Sequence, residues 1–283
     1  MKKKVIHILI FAVLCVPAAI ICYPVLFAIS GVFMSQYELK QYLEPVLGGA
    51  DGMARWSMIP QIPTLEPLVK LLIDSPQFFV MFWNSVKLTV GILAGQVLVG
   101  VPAAWGLARF SFPGQRFFYT LYLILMLMPF QVLMLPEYIV LDRLKLLDTH
   151  AGIILPAVFS TFPVFIMYRF FHGIPEAVLE AARIDGAGNF QVFVWIGIPL
   201  GSAGIASAVI LGFLEYWNMI EQPMTYLKTK SLWPLSLYLP EIGLEEAATG
   251  FTAAVMMLIP ALLVFLGGQE YLEQGIAAAA VKE

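Results

Sequence analysis

The chain has 283 residues, of which 60% are hydrophobic and only 12% are charged, and its mean hydropathy is +0.84. A soluble domain of ordinary composition is about half apolar and about a quarter charged, so the missing charge points to a lipid environment. The formal net charge of −3 and the lack of a long Lys/Arg run argue against a nucleic-acid partner.

Six apolar stretches are each long enough to cross the hydrocarbon core of a bilayer, which takes about 20 residues of helix. The sequence therefore predicts an all-α polytopic membrane protein with six transmembrane helices. These stretches lie near residues 5–33, 78–107, 117–135, 151–171, 198–220 and 249–267.

The first stretch follows Lys2, Lys3 and Lys4, a basic start that resembles a signal peptide. Its apolar run far exceeds the roughly 7–15 residues of a cleavable signal, so we expect an uncleaved anchor. Basic residues beside a span favour the cytoplasm, and six crossings return the C-terminus to the same side, so both termini are expected in the cytoplasm. We expect residues 1–77 to form this anchor and an extracytoplasmic segment, and residues 78–283 to form the core transmembrane domain.

This orientation places two connections, 108–116 and 169–196, on the cytoplasmic side. The outer segments are then 34–77, 136–150 and 221–248. Each of the two cytoplasmic connections carries two arginines, as expected for short loops on that side of the membrane. These arginines are Arg109, Arg116, Arg169 and Arg183.

Prolines recur inside the apolar stretches, and each removes a backbone donor and bends its helix. The pattern is compatible with ordinary proline usage in membranes, and equally with bent helices that rock between two packings, as transporters require. The prolines are Pro17, Pro24, Pro102, Pro129, Pro136, Pro156, Pro163 and Pro260.

Several kinds of chemistry have no signature in this sequence. The phosphate-binding pattern G-x-x-x-x-G-K-[ST] does not occur, because the dipeptide Gly-Lys is absent. His7, His150 and His172 are scattered without metal-ligand spacing, and no G-x-S-x-G elbow is present. We therefore expect this chain to bind no cofactor or metal and to be no enzyme.

The second cytoplasmic connection carries the most local information. Pro175 suits the first position of a helix, Glu176 complements the helix dipole there, and Gly186 suits its end because glycine tolerates a positive φ. Asn189 can cap a second short helix. Local physics alone favours a solvated surface helix. Its one mostly small face is predicted to contain Val178, Ala181, Ala182 and Asp185.

Within this connection, Glu-Ala-Ala at 180–182 is followed after three positions by Gly186, and after nine more by Ile196-x-Ile198-Pro199. The spacing resembles the EAA loop of bacterial ABC importer permeases, whose pattern is E-A-A-x3-G-x9-I-x-L-P. The one departure from that pattern is Ile198, where leucine is usual.

Flanking motifs resemble the carbohydrate branch of these permeases and, in order and spacing, the second permease of maltose-type importers. The resemblance covers roughly residues 84–226. It includes the stretches 106–114, 128–130, 135–138 and 213–218. Residues 201–204 lack the proline often found after the EAA loop, and the segment 34–77 matches less distinctly.

The resemblance implies the type I fold of ABC importer permeases, in the bacterial cytoplasmic membrane. It implies that a coupling helix within 173–190 docks into a cleft on a cytoplasmic ATPase dimer, which is a separate chain and hydrolyses the ATP. It further implies a heterodimer with a second permease subunit, an extracytoplasmic solute-binding protein that faces segment 221–248, and a sugar substrate. The residues implied in ATPase coupling are Glu180, Ala181, Ala182, Asp185, Gly186, Ile196 and Pro199.

Candidate residues for the solute pathway are fewer. Lys87 and Glu215 are the two charged residues that qualify by position inside the spans, and both are expected near the outer interface, so a proton relay is not predicted. Sugars favour aromatic faces with nearby amides, although an interfacial aromatic belt explains Trp217 equally well. The candidates are Asn84, Glu215, Trp217 and Asn218.

Two other classes of protein stay open at this point. A secondary transporter would show an inverted repeat or a buried ion site, and neither is visible in the sequence. A non-transporting membrane scaffold, or a membrane enzyme, would leave the EAA-like spacing unexplained.

Overall fold

The protein is described by a computed structural model that covers residues 2–48, 53, 57–239 and 243–280. All regular secondary structure in these residues is helical. The helices are α1 (Lys2–Gly31), α2 (Gln36–Leu47), α3 (Glu66–Leu72), α4 (Pro76–Arg109), α5 (Gln115–Met126), α6 (Phe130–Arg143), α7 (His150–Val158), α8 (Thr161–His172), α9 (Glu176–Ile184), α10 (Asn189–Val192), α11 (Ile198–Leu200), α12 (Ser202–Trp217), α13 (Glu221–Tyr226) and α14 (Ala247–Ala280).

Four helical segments are long and apolar enough to cross a membrane, namely Ile10–Gly31, Pro76–Arg109, His150–His172 and Leu244–Glu273. Two further pairs of helices pass the same test together but are bent at a short break. The pair α5 and α6 is bent by 104°, and the pair Asn189–Leu200 and α12 by 65°. The described residues thus provide up to six spans, the predicted number, if each bent pair is one crossing.

The first bend lies at Pro129, one of the prolines predicted to bend a helix, and the second lies at Gly201, within the predicted stretch 198–220. Helix α5 ends at Met126, and Pro129 is the extended N-cap of α6, with φ −67° and ψ 146°. Proline cannot donate a backbone hydrogen bond and disfavours helical geometry in the residue before it, so the helix is interrupted there. In the second pair, α12 begins at Ser202, after a bend at Gly201.

The chain divides into two compact units. The first contains Met1–Val80 and Tyr238–Ile259, so it takes in a late segment that the sequence analysis assigns to the core domain. Its apolar core is formed where α1 and α2 meet the start of α14. The buried residues of this core are Phe27, Met34, Leu39, Tyr42, Leu43, Ala247 and Ala248. The Gln36 side chain donates to the Leu244 carbonyl at 2.7 Å and accepts from the Ala248 N–H at 2.9 Å, which fixes the same junction.

The second unit contains Met81–Leu237 and Pro260–Glu283 and includes the predicted coupling segment. Helices α8 and α12 pack closely in it because glycines lie at the contact. A Cβ atom at Gly201 would lie 2.2 Å from the Phe171 ring, and one at Gly204 would lie 2.5 Å from the Phe170 ring. Such close approach of two helices through small residues is typical of packing in membranes.

Candidate functional site

Helix α9 is the predicted coupling helix, and its buried residue, Leu179, packs against the rest of the second unit. Leu179 has no exposed surface and joins an apolar cluster with Trp105 of α4 and Phe171 of α8. Pro175 is the N-cap of α9, one position earlier than predicted, and Glu176 lies in the first turn, where a negative charge complements the helix dipole.

The C-terminal end of α9 is the glycine stop that the sequence predicts. Gly186 has a φ of +89°, the left-handed region that favours glycine. The Gly186 N–H donates to the Arg183 carbonyl at 3.1 Å, and the Ala187 N–H donates to the Ala182 carbonyl at 3.0 Å. These two bonds form a Schellman motif, which ends the helix and turns the chain sharply.

The second short helix differs from the prediction at its start. Helix α10 begins at Asn189 itself, and its N-cap is Gly188, so Asn189 is not the cap. The Gly188 N–H instead donates to the side-chain oxygen of Gln191 at 2.8 Å. A π-helical turn, Phe193–Gly197, follows and leads into α11. Such turns are rare and occur frequently at functional sites.

The residues predicted to couple to an ATPase divide into two groups. Glu180, Ala181, Asp185, Gly186 and Pro199 are exposed, whereas Ala182 and Ile196 are half-buried and pack against the cluster around Leu179. The predicted small face is therefore turned partly inward at Ala182. The exposed part of this face is free of this chain's own core and accessible to another protein.

Three large apolar side chains in the segment from α9 to α11 are strongly exposed. Ile184, Phe190 and Trp195 are 85%, 77% and 75% exposed. Phe190 and Trp195 lie in Asn189–Leu200, which belongs to a bent pair that is apolar enough to cross a membrane, so their exposure is compatible with contact with lipid. None of the three is among the site residues predicted from the sequence, although large apolar residues that interrupt a polar connection can be recognised there.

Sequence reasoning also missed the part played by Arg109, the last residue of α4. Its side chain is 8% exposed, and its Nη1 lies 3.1 Å from the Glu176 carboxylate at the start of α9. Its Nη2 donates to the backbone carbonyls of Phe171, His172 and Ile174. Because these partners lie more than sixty positions along the chain, no local pattern indicates the contact.

The four candidate pathway residues differ in burial. Asn84 is 3% exposed, and its amide donates to the carbonyls of Ser231 at 2.8 Å and Trp233 at 3.1 Å. Trp217 is 2% exposed and stacks on Phe213, with ring centroids 5.5 Å apart. Asn84 and Trp217 therefore occupy the interior of the second unit.

Glu215 and Asn218, in contrast, lie on its surface. The Asn218 amide donates to the Leu214 carbonyl at 2.9 Å. Charged side chains within membrane spans usually face a cavity or a neighbouring helix, because burial in lipid costs several kcal/mol.

The Asp148 carboxylate makes several hydrogen bonds to the residues that follow α13. Asp148 accepts hydrogen bonds from the backbone N–H groups of Lys228 at 2.9 Å and Thr229 at 2.8 Å, and from the Thr229 hydroxyl at 2.6 Å. These bonds, above all the one from the hydroxyl, lower the pKa of Asp148 because they favour its charged form. The start of this predicted outer segment is thus an ordered surface.

No three His, Cys, Asp or Glu side chains among the described residues are grouped closely enough to hold a metal ion. Most of the polar contacts described above instead join side chains to backbone groups at helix ends and turns. Such contacts fix the geometry of the helix ends.

Known relatives and structures have related sequences and the same fold. The arabinooligosaccharides transport system permease protein AraQ of Halalkalibacterium halodurans is 29% identical over 231 residues, which is 79% of this chain and 81% of that protein. The diacetylchitobiose uptake system permease protein NgcG of Streptomyces coelicolor is 33% identical over 65% of this chain and 63% of its own length. The sn-glycerol-3-phosphate transport system permease protein UgpE of Salmonella choleraesuis is 28% identical, over 72% and 74% of the two chains.

Among solved structures, a bacterial ABC transporter involved in the import of the acidic polysaccharide alginate matches 96% of this chain and 98% of its own, with a TM-score of 0.80 and 21% identity. The MetNI methionine ABC transporter matches 74% and 98% of the two chains, with a TM-score of 0.55 and 18% identity. These likenesses establish the type I permease fold. Residues 96–278 match the model of binding-protein-dependent transport system inner membrane components, and the chain belongs to that family.

Proposed function

We propose that this permease forms one half of the solute pathway of an ATP-driven importer for a sugar or oligosaccharide, in the bacterial cytoplasmic membrane. Its termini then face the cytoplasm, where α9 meets a separate ATPase dimer. The single observation that carries the proposal is the exposure of Glu180, Ala181 and Gly186 on a helix whose other side is anchored by Leu179. A short rigid helix with small exposed residues allows close approach by a second protein.

The physical role of α9 is to convert a change in the ATPase into a change in the permease. A ligand or partner shifts a two-state equilibrium only by its difference in affinity for the two states. Closure of the ATPase dimer around ATP therefore drives the permease if α9 binds the open and closed dimers differently. The bundle then changes from facing inward to facing outward around the solute.

The class of substrate is inferred from the relatives. Their names specify arabinooligosaccharides, diacetylchitobiose and sn-glycerol-3-phosphate, which are all polyhydroxylated solutes. Within this chain, the exposed Glu215 and Asn218 are the remaining candidates for pathway residues, since carboxylates and amides bind hydroxyl groups well. Asn84 and Trp217 support the pathway from the interior.

The partners follow from the same proposal. A second permease subunit completes the pathway and makes the transporter a heterodimer in the membrane. An extracytoplasmic solute-binding protein delivers the sugar to the outer face, which includes the segment fixed by Asp148. The alginate transporter has also been solved in complex with an alginate pentasaccharide-bound periplasmic protein, and that structure matches 95% of this chain with a TM-score of 0.60.

Uptake by the complete transporter in proteoliposomes tests this function. The second permease, ATPase and binding protein are purified with this chain, and radiolabelled arabinooligosaccharide, diacetylchitobiose and sn-glycerol-3-phosphate are offered in turn. We expect one class of solute to be taken up, and only when ATP is present on the side of the membrane that carries the ATPase. This chain alone should hydrolyse no ATP. Uptake by this chain without ATP, driven by an ion gradient, would identify a secondary transporter instead.

A further inference from the structure

The guanidinium of Arg109 lies where three helix ends meet. It projects from the last residue of α4, beside the C-terminal end of α8 and the N-terminal end of α9. Its side chain is 8% exposed, whereas that of its partner Glu176 is 53% exposed. Arg109 is therefore part of the interior, and it connects a long span directly to the first turn of the coupling helix.

The chemistry of these helix ends explains why an arginine suits this place. The last carbonyls of a helix have no partner within the helix and carry a partial negative charge. Arg109 donates to the carbonyls of Phe171, His172 and Ile174 at the end of α8. Only arginine offers five N–H donors in a rigid planar fork, so one side chain can satisfy several carbonyls and a carboxylate together.

Glu176 is held from two sides. Its Oε2 lies 3.1 Å from Nη1 of Arg109, and its Oε1 lies 2.9 Å from Nη1 of Arg183. One pair joins α9 to α4, and the other lies within α9. The carboxylate is thereby fixed in the first turn of α9, and the contact with Arg109 sets the orientation of this helix relative to α4.

Apolar packing alone would constrain this junction less. Leu179 and Trp105 also connect α9 with α4, but hydrophobic contact has no preferred direction and lets surfaces slide. Hydrogen bonds and ion pairs at a rigid fork restrict rotation as well as separation. We propose that Arg109 is a positioning residue that makes the end of α4 move as one body with the coupling helix. This inference rests on the proposed function, in which α9 receives the motion of an ATPase.

The test uses the complete transporter with Arg109→Gln, which keeps two donors but loses the fork and the charge. We expect the complex to assemble and to hydrolyse ATP, while ATP-driven uptake falls about tenfold. A change of this size is typical of the coupling between two sites in a protein. Arg116→Gln is the matched control, because Arg116 is an exposed arginine in the first turn of α5. Its uptake should equal that of the unmodified transporter.

A distance measurement separates positioning from a general loss of stability. Spin labels at the exposed positions Ser111 and Ala177, just after α4 and in the first turn of α9, report the junction directly. In the unmodified transporter we expect one narrow distance distribution that stays the same when ATP binds. In Arg109→Gln we expect a broader distribution that shifts on ATP binding.

A second variant keeps the inference testable if Arg109→Gln fails to assemble. Glu176→Ala leaves the carbonyl bonds of Arg109 in place and removes its ion pair with α9, together with the pair between Glu176 and Arg183 inside that helix, so uptake should fall by about threefold. An unmodified junction that changes length on ATP binding, or normal coupling in both variants, would refute the positioning role. Absence of ATP-dependent uptake by the unmodified transporter would instead refute the proposed function.

Discussion

The side-chain amide of Gln96 donates a hydrogen bond to the hydroxyl of Tyr216, 2.8 Å away, and both side chains are buried. The same amide donates to the carbonyl of Ala157 at 2.8 Å. One side chain thus joins α4, α7 and α12 within the segments that cross the membrane. Water is scarce there, so these polar groups depend on each other.

Replacing Gln96 with leucine should therefore destabilise the permease. The Ala157 carbonyl and the Tyr216 hydroxyl would lose their donor, at a cost of about 1–2 kcal/mol. The melting temperature of the purified complex in detergent measures this loss. Tyr216→Phe leaves the bond from Gln96 to the Ala157 carbonyl in place and should lower the melting temperature less. An unchanged melting temperature for Gln96→Leu would show that the bonds add no stability.

Replacing Gly186 with valine should abolish uptake while membrane insertion continues. A φ of +89° is strained for any residue with a Cβ, by about 1–2 kcal/mol or more for a branched side chain, so the end of α9 must change shape. The amount of ATPase that stays bound to an affinity-tagged permease measures how far docking is lost. Gly188→Ala is the matched control, because Gly188 has a φ of −73° and a new Cβ there meets nothing closer than 3.7 Å. Normal ATPase retention by Gly186→Val would contradict the docking role.

Replacing Gly201 with alanine should separate α8 from α12. The new methyl group would overlap the ring of Phe171, and overpacking of this kind costs about 1–3 kcal/mol. Thermal unfolding of the complex and its uptake should both decline. Gly106→Ala serves as the control, since no atom lies within 4 Å of a Cβ there. Equal stability of the two variants would mean that α8 and α12 accommodate the extra methyl group without a cost in stability.

The contact between Asp148 and residues 228–229 should depend on pH. Because folding lowers the pKa of this carboxyl, its contribution to stability is complete above the pKa of the unfolded chain and is lost as pH falls through the lowered value. Hydrogen exchange at the Lys228 and Thr229 amides, corrected for intrinsic rates, should accelerate over that acidic range. Asp148→Asn cannot ionise and should show no such step. A pH-independent rate in the unmodified protein would contradict the role of the charge.

Features that depend on neighbouring residues could be predicted from the sequence. The apolar stretches identify the spans because each must be apolar over its own length in lipid. Gly186 ends α9 as predicted, because the tolerance for positive φ belongs to glycine itself. The predicted cap at Asn189 was wrong, since Gly188 occupies that position, and boundaries shift easily by one residue.

Features that depend on distant residues could not be predicted in this way. Asn84 and Trp217 have the chemistry of pathway residues, yet the packing of the second unit places both inside it. The sequence places Arg109 in a short cytoplasmic connection, yet its side chain is buried against carbonyls more than sixty residues away. Neither outcome is encoded in periodicity or composition, which describe only short windows of the chain.

The sequence by itself determined the lipid environment and the helical class, and it predicted the coupling segment, since hydropathy and motif spacing are local properties. Only the tertiary structure decided which side of α9 is exposed, where the spans at Pro129 and Gly201 bend, and how Arg109 joins α4 to α9. The physical reason is that each helix must be apolar enough by itself to cross a bilayer. Contacts between helices depend on how whole surfaces fit together.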